Sequence, residues 1–120
     1  MGTIGLVYDR IRWDEKALIR AATKARIDLK LVDLKKTCID TLSNPAKLKE
    51  KFGDIVLQRC VSYFRGLHVT AVLENSGLQV INPFNVSLVC GNKLFLTLAL
   101  CKAAIPVPKT LTAFTEEGVF

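Results

Sequence analysis

The chain has 120 residues, half of them apolar, and a formal net charge of +6 at pH 7. This length fits one domain, and the apolar content is enough for a single buried core, which excludes a disordered polar tail. No window approaches the roughly 18 uninterrupted apolar residues of a membrane span, so we expect no membrane partner. The apolar residues therefore predict buried strands and helices.

The basic residues are spread along the chain and are densest between residues 30 and 51. They lack the aromatic interleaving of single-strand binders, so we expect no nucleic-acid partner, whereas an acidic protein partner suits the charge. No basic segment precedes an apolar stretch at the N-terminus, which predicts a cytoplasmic protein. The four widely spaced cysteines form no Cys-x-x-Cys pair, which predicts reduced, buried thiols and no metal site.

The first part of the chain predicts a strand, a loop, a helix and a second strand. Residues 3–8 are a short apolar run typical of a buried parallel strand, and a loop follows at its carboxyl end. Asp14 can cap the helix, whose apolar stripe faces a sheet. The members of that stripe are Leu18, Ala21, Ala22 and Ala25. Residues 28–34 alternate between polar and apolar side chains, which predicts a second strand at or near a sheet edge.

Residues 35–53 are rich in Lys, Thr, Ser and Asn and predict a long connection. We expect this connection to hold a short strand at residues 38–42 and a helical turn after Pro45. The apolar run at residues 54–58 then predicts a third strand, followed by a helix that ends at Gly77. Residues 78–81 predict a fourth strand.

Strands that alternate with helices of about three turns predict parallel pairing and right-handed crossovers. We therefore expect an α/β fold: an open, mostly parallel sheet with helices on both faces.

In such sheets ligands bind at the carboxyl ends of the strands. That rule selects residues 9–12, residues 59–65 and Asn82. Ser62 stands at a helix start, where its side chain can donate a hydrogen bond. Arg59 and Arg65 either recognise an anion or form salt bridges with an acid such as Asp9, and the residues alone leave both alternatives open.

Residues 82–110 contain a helix that opens behind Gly91, with Asn92 as its N-cap and Lys93 in its first turn. Pro106 and Pro108 stop it. A cation is mildly disfavoured at the positive end of a helix dipole, so Lys93 suggests a negative partner such as a phosphate. The alternative is a solvated lysine.

Complete catalytic sets are missing. No Gly-x-Gly-x-x-Gly or Walker sequence follows a strand, and His68 has no paired acid or cysteine at a catalytic spacing. Glu116 and Glu117 predict a helix start. The residues by themselves predict binding groups, and no catalytic or metal residue.

Several segments together resemble the N-terminal part of ATP-grasp ligases of the LysX and RimK branch. They are residues 8–12, 58–62, 65–67, 80–83, 90–93 and 105–110. The resemblance implies a pre-ATP-grasp domain at residues 1–91, and the beginning of an ATP-grasp domain, its first helix and strand, at residues 92–120. It further implies an ATP-dependent ligase of lysine biosynthesis. Such a ligase joins α-aminoadipate to the C-terminal glutamate of a small acidic carrier protein, LysW, through an acyl phosphate.

By resemblance, Lys93 contacts ATP, while the remaining ATP groups and the Mg²⁺ ligands belong to a part of such ligases that this chain lacks. The candidates for substrate or carrier binding are Asp9, Arg10, Arg12, Arg59, Ser62, Arg65 and Asn82. The resemblance also implies that the isolated chain is inactive and that a full-length protein is a homo-oligomer. The alternatives are a noncatalytic α/β binding or scaffolding domain, a ligase of arginine biosynthesis and a RimK-like glutamate ligase.

Overall fold

The computed structural model describes residues 2–119. The chain divides into two compact units, the first ending at Ser87 and the second beginning at Leu88. The strands of the first unit are β1 (Ile4–Tyr8), β2 (Leu29–Asp33), β3 (Ile55–Gln58) and β4 (Gln79–Ile81). Its helices are α1 (Trp13–Ala25), α2 (Pro45–Phe52) and α3 (Tyr63–Asn75), with a 3₁₀ turn at Leu34–Lys36. Helix α4 (Phe84–Cys90) runs through the boundary between the units.

The four strands form one parallel sheet in the order β2-β1-β3-β4. The chain leaves β1 in one direction across the sheet to reach β2, and then crosses back to β3 on the other side of β1. Right-handed crossovers in opposite directions place helices on opposite faces. The predicted open parallel α/β sheet is thus confirmed, with β2 at one edge.

The main core lies on the face that α2 and α3 cover. One valine from each strand points to that face, and helix residues such as Phe52 and Leu73, both fully buried, pack against them. These valines are Val7, Val32, Val56 and Val80. On the opposite face, α1 packs against β2, and Leu6 and Ala22 are buried.

Helix α1 begins two residues earlier than an Asp14 cap requires. Arg12 occupies the N-cap position, and its backbone N–H donates to the Glu15 carboxylate at 2.9 Å. The expectation of an Asp14 cap is therefore wrong. In the predicted apolar stripe, Ala22 is buried and Leu18 is half-buried, but Ala21 and Ala25 are exposed, so the stripe is confirmed only in part.

The connection between β2 and β3 contains more helix than the sequence predicted. Asn44 caps α2 by accepting the Ala46 N–H at 2.7 Å, and Pro45 takes the first helical position, where its missing N–H costs nothing. The helical turn expected after Pro45 is confirmed, but the strand expected at residues 38–42 is wrong, since none of these residues pairs with a strand and Leu42 is 91% exposed.

The second unit contains helix α5 (Lys93–Lys102) and a 3₁₀ turn at Glu116–Val119. The Asn92 side chain caps α5 by accepting the N–H groups of Leu94 at 3.0 Å and Phe95 at 3.2 Å, which confirms the predicted cap. The strand that the resemblance implied after this helix is not formed, because residues 105–112 have no strand pairing.

Among residues 2–119, no single helix is long and apolar enough to cross a membrane. The consecutive helices α4 and α5 meet that test only when taken together, by length and composition.

Candidate functional site

The carboxyl ends of β2, β1 and β3 lie side by side, at the point where the chain reverses its direction across the sheet. Ligands in open α/β folds bind at such switch points. A cleft of about 280 Å³ lies there. It is lined by Asp9, Arg10, Lys35, Val61, Ser62 and Arg65. The segments that follow three neighbouring strands thus each supply residues to one cleft.

Asp9 joins the two loops that follow β1 and β3. Its carboxylate accepts the backbone N–H of Val61 at 2.7 Å and that of Ser62 at 3.1 Å, and Arg65 donates to it at 3.3 Å. Burial opposes ionisation of Asp9, but these donors outweigh it and hold its pKa below the ordinary value. Asp9 is therefore a charged tie between the loops.

Ser62 and Arg65 begin α3 beside this tie. The Ser62 hydroxyl oxygen accepts the Arg65 backbone N–H at 3.4 Å, so the side chain acts as a helix cap where the sequence suggested a donor. The ion pair of Arg65 with Asp9 is the salt-bridge alternative left open by the sequence.

A second charge cluster lies around Glu15, which is fully buried. The Arg12 Nε donates to it at 3.2 Å and the Arg12 Nη2 at 3.1 Å, while the Arg59 Nε donates at 3.2 Å. Arg59 also pairs with Asp14 at 3.3 Å. The hydrogen bonds from the Arg12 side chain are the main cause that lowers the pKa of Glu15 to about 2. The cluster connects the start of α1 to the end of β3.

Glu15 is the residue that sequence reasoning missed. The available signal was its spacing: Glu15 stands three residues after Arg12, as the glutamate of a capping box does. Its contact with Arg59, 44 residues away, left no signal in the sequence.

Arg12, Arg59 and Arg65 are paired with carboxylates, whereas two cations that line the cleft are not paired within the described residues. Within residues 2–119, neither Arg10 nor Lys35 forms an ion pair, and both side chains are exposed. Lys35 lies in the 3₁₀ turn after β2, where its backbone N–H donates to the Asp33 carboxylate at 3.0 Å.

The other two predicted site residues lie elsewhere. Asn82 follows β4, is exposed and does not line the cleft; its backbone carbonyl accepts the Ser87 hydroxyl at 3.4 Å. Lys93 is the first residue of α5 in the second unit, and its side chain is exposed.

The described residues offer no group of three or more His, Cys, Asp or Glu side chains that could hold a metal ion. All four cysteines are free thiols. Cys60 is half-buried, and burial raises its pKa to about 12. The expected burial is wrong for the other three, Cys38, Cys90 and Cys101, which are exposed.

A family model described as the LysX preATP-grasp domain matches residues 4–89, which contain the whole sheet and both charge clusters. The chain belongs to the LysX preATP-grasp domain family. The resemblance noted in the sequence is thereby confirmed.

Individual relatives agree with the family. The chain is 34% identical over 116 residues to the alpha-aminoadipate–LysW ligase LysX of Sulfurisphaera tokodaii, which covers 95% of this chain and 40% of that protein. It is 26% identical over 117 residues to the glutamate–LysW ligase ArgX of Sulfolobus acidocaldarius, covering 96% of this chain and 39% of that protein. The chain thus spans about two-fifths of the length of the curated relatives it matches.

A solved structure shares the fold. The crystal structure of a RimK domain protein, ATP-grasp, from Sphaerobacter thermophilus superimposes with a TM-score of 0.76 at 26% identity. The match covers 98% of this chain and 43% of that one.

Proposed function

We propose that this chain is the N-terminal part of an ATP-dependent carboxylate–amine ligase of lysine biosynthesis, acting in the cytoplasm. The reaction joins the amino group of α-aminoadipate to the C-terminal glutamate of the carrier protein LysW. The observation that supports this most strongly is the 34% identity to a LysX along 95% of the chain, together with the family match over residues 4–89.

The proposed chemistry proceeds through an acyl phosphate. A carboxylate of the carrier's C-terminal glutamate takes the γ-phosphoryl group of ATP and ADP leaves. The amine then attacks the acyl carbon, an amide bond forms and phosphate departs. No group of this chain is assigned a bond-making step, so the isolated chain is expected to be inactive.

Lys93 is the residue proposed to contact ATP. It stands exposed at the first position of α5, where the positive end of the helix dipole adds to the charge of the lysine, and this combination fits a phosphate group. The described residues do not fit a Mg²⁺ site, because they contain no cluster of three or more metal-binding side chains. The proposed ligase therefore takes its Mg²⁺ ligands from outside this chain.

The carboxyl edge of the sheet is proposed to meet the substrate or the carrier. Arg12, Arg59 and Arg65 form ion pairs with carboxylates there, and within residues 2–119 Arg10 is the arginine of this set that adds unpaired positive charge. The net charge of +6 also favours fast encounter with an acidic carrier. The proposed binding residues also include Asp9, Ser62 and Asn82. The first two act by holding the loops. The full-length protein is proposed to be a homo-oligomer.

A second candidate function is ligation of glutamate to LysW, as in arginine biosynthesis. It is supported by the matches to ArgX proteins, at 26% and 28% identity along almost the whole chain. Within residues 2–119, Lys93, Arg10 and Lys35 form no ion pair, which favours a ligand-binding role over a noncatalytic scaffold.

The test is ADP release by the complete product of the gene that encodes this chain, in the presence of LysW and Mg²⁺. α-Aminoadipate is expected to stimulate ADP release more than glutamate does. A preference for glutamate would replace the first candidate by the second. ADP release that depends on neither the carrier nor an amino acid would contradict both.

A further inference from the structure

We propose that the cleft at the switch point is an anion site in which Arg10 and Lys35 bind the carboxylates of the acidic carrier's C-terminal glutamate. This inference rests on the proposed function. It narrows the candidates for carrier binding. Of the predicted arginines, only Arg10 is assigned to binding, together with Lys35, which the sequence did not single out.

The other three arginines are already committed to buried carboxylates. The Asp9 side chain is 3% exposed and the Glu15 side chain is fully buried. An anion that drew Arg65 away from Asp9, or Arg12 and Arg59 away from Glu15, would leave a buried charge without its partner, and such a loss is strongly unfavourable. These arginines hold the loops and do not bind the carrier in this proposal.

Arg10 and Lys35 form no ion pair within the described residues. They follow β1 and β2, which are neighbours in the sheet, and both line the same cleft. Each cation lies next to an anchored contact: the side chain of Asp9, the neighbour of Arg10, accepts the Val61 N–H, and the Lys35 N–H donates to Asp33. Two cations without an ion pair in the described residues therefore lie beside the same cleft, where one anion can contact both.

The size of the cleft favours a small group. Its volume of about 280 Å³ lies just below the range of about 300–1,000 Å³ that is usual for small-molecule pockets. A carboxylate side chain or a chain end fits this space. Because Arg10 and Lys35 are exposed, a peptide end can enter from solvent.

The charges also favour a peptide end over a free amino acid. A free amino acid carries an ammonium group close to its carboxylate, and two nearby cations repel that group. The Asp9 carboxylate also lines the cleft, but it is 3% exposed and already accepts three donors, so it offers little to an ammonium group. In the C-terminal segment of an acidic carrier, the terminal and side-chain carboxylates have no adjacent ammonium. Charge complementarity therefore selects the carrier as the occupant.

The test is titration of the 120-residue chain with pentaglutamate carrying a free C-terminal carboxylate, followed by NMR chemical shifts at low ionic strength. Arg10→Gln and Lys35→Gln are each expected to weaken binding about fivefold. The matched controls, Arg20→Gln and Lys24→Gln, remove the same charge from exposed positions of α1 and are expected to change binding less than twofold. Equal weakening by all four variants would overturn the proposal, since net charge alone would then explain binding.

Two further measurements separate the remaining outcomes. Free glutamate that binds as tightly as pentaglutamate, and loses affinity in Lys35→Gln, would overturn the carrier as the occupant. In the complete gene product, the double variant Arg10→Gln, Lys35→Gln is expected to raise the KM for LysW with little change in kcat. An unchanged KM in an active ligase would overturn the anion site and leave the proposed function standing. Pentaglutamate binding that needs both cations, in a protein without ligase activity, would support the site and contradict the function.

Discussion

The carboxylate of Asp9 accepts the backbone N–H of Val61 at 2.7 Å, and this contact joins loops that lie 52 residues apart in the sequence. The same carboxylate also accepts hydrogen bonds from the backbone N–H of Ser62 and from the Arg65 guanidinium. The loop between β3 and α3 thus takes its position from one buried charge that belongs to the loop after β1.

Replacing Asp9 with Asn is expected to destabilise the protein by about 2–3 kcal/mol, because an amide cannot accept all three donors and leaves Arg65 unpaired. Urea unfolding followed by circular dichroism measures the change. Asp28→Asn, at an exposed position, is the matched control and is expected to stay within about 0.5 kcal/mol of the parent. Equal effects of the two substitutions would show that Asp9 is not a tie.

Acid is expected to weaken the fold through Glu15. Its pKa is about 2 in the folded protein and 4.5 in the unfolded reference, so the folded state binds fewer protons in that interval. The stabilisation is fully present above about pH 4.5 and is lost as the pH falls toward 2. The lowered pKa of Asp9 acts in the same direction.

The measurement is the free energy of unfolding in urea across that pH interval, for the parent and for Glu15→Gln. The variant is expected to be less stable at neutral pH and to show a flatter decline in acid. Glu50→Gln, an exposed control, keeps the parent's curve. A Glu15→Gln curve as steep as the parent's would contradict the role of the buried carboxylate.

Gly5 is expected to tolerate no side chain. A Cβ at this position would overlap the backbone carbonyl of Phe52, so α2 would have to move away from β1. We expect Gly5→Ala to cost at least about 3 kcal/mol or to prevent folding. Gly2→Ala is the control, since its Cβ would meet its nearest atom, on Asp54, at an ordinary 3.5 Å. Thermal unfolding of both variants compares them, and similar melting temperatures would contradict the close approach.

Three of the four thiols are expected to react quickly with an alkylating reagent and one slowly. Cys60 is half-buried with a pKa raised to about 12, so at neutral pH it contains little of the reactive thiolate. Mass spectrometry after a short exposure to iodoacetamide should find Cys38, Cys90 and Cys101 modified before Cys60. In urea all four should react alike, and rapid labelling of Cys60 in the folded protein would contradict its burial.

Lys93→Ala in the complete gene product is expected to weaken ATP binding about tenfold, as the loss of one charge-assisted phosphate contact does. Lys102→Ala, in the last turn of the same helix, is the matched control. Calorimetric titration with ATP measures both. Unchanged affinity in Lys93→Ala would remove the role assigned to this lysine.

The sequence predicted the sheet well, because apolar runs that alternate with helices leave few arrangements other than parallel strands. It predicted α2 and α4 poorly. The signals were prolines, Pro45 and Pro83, which suit helix starts as well as loops. The charges at the site were the least predictable: Glu15 is a charged residue on a helix, which usually lies in water, and its contact with Arg59 exists only once β1 and β3 pair.

The most direct test of the proposed ligase is the intact mass of LysW after incubation with the complete gene product, ATP, Mg²⁺ and α-aminoadipate. The mass is expected to increase by one α-aminoadipate residue, only when ATP is present and more slowly with the Lys93→Ala variant. An unchanged carrier mass, with the protein folded and both α-aminoadipate and glutamate tried, would contradict the assignment.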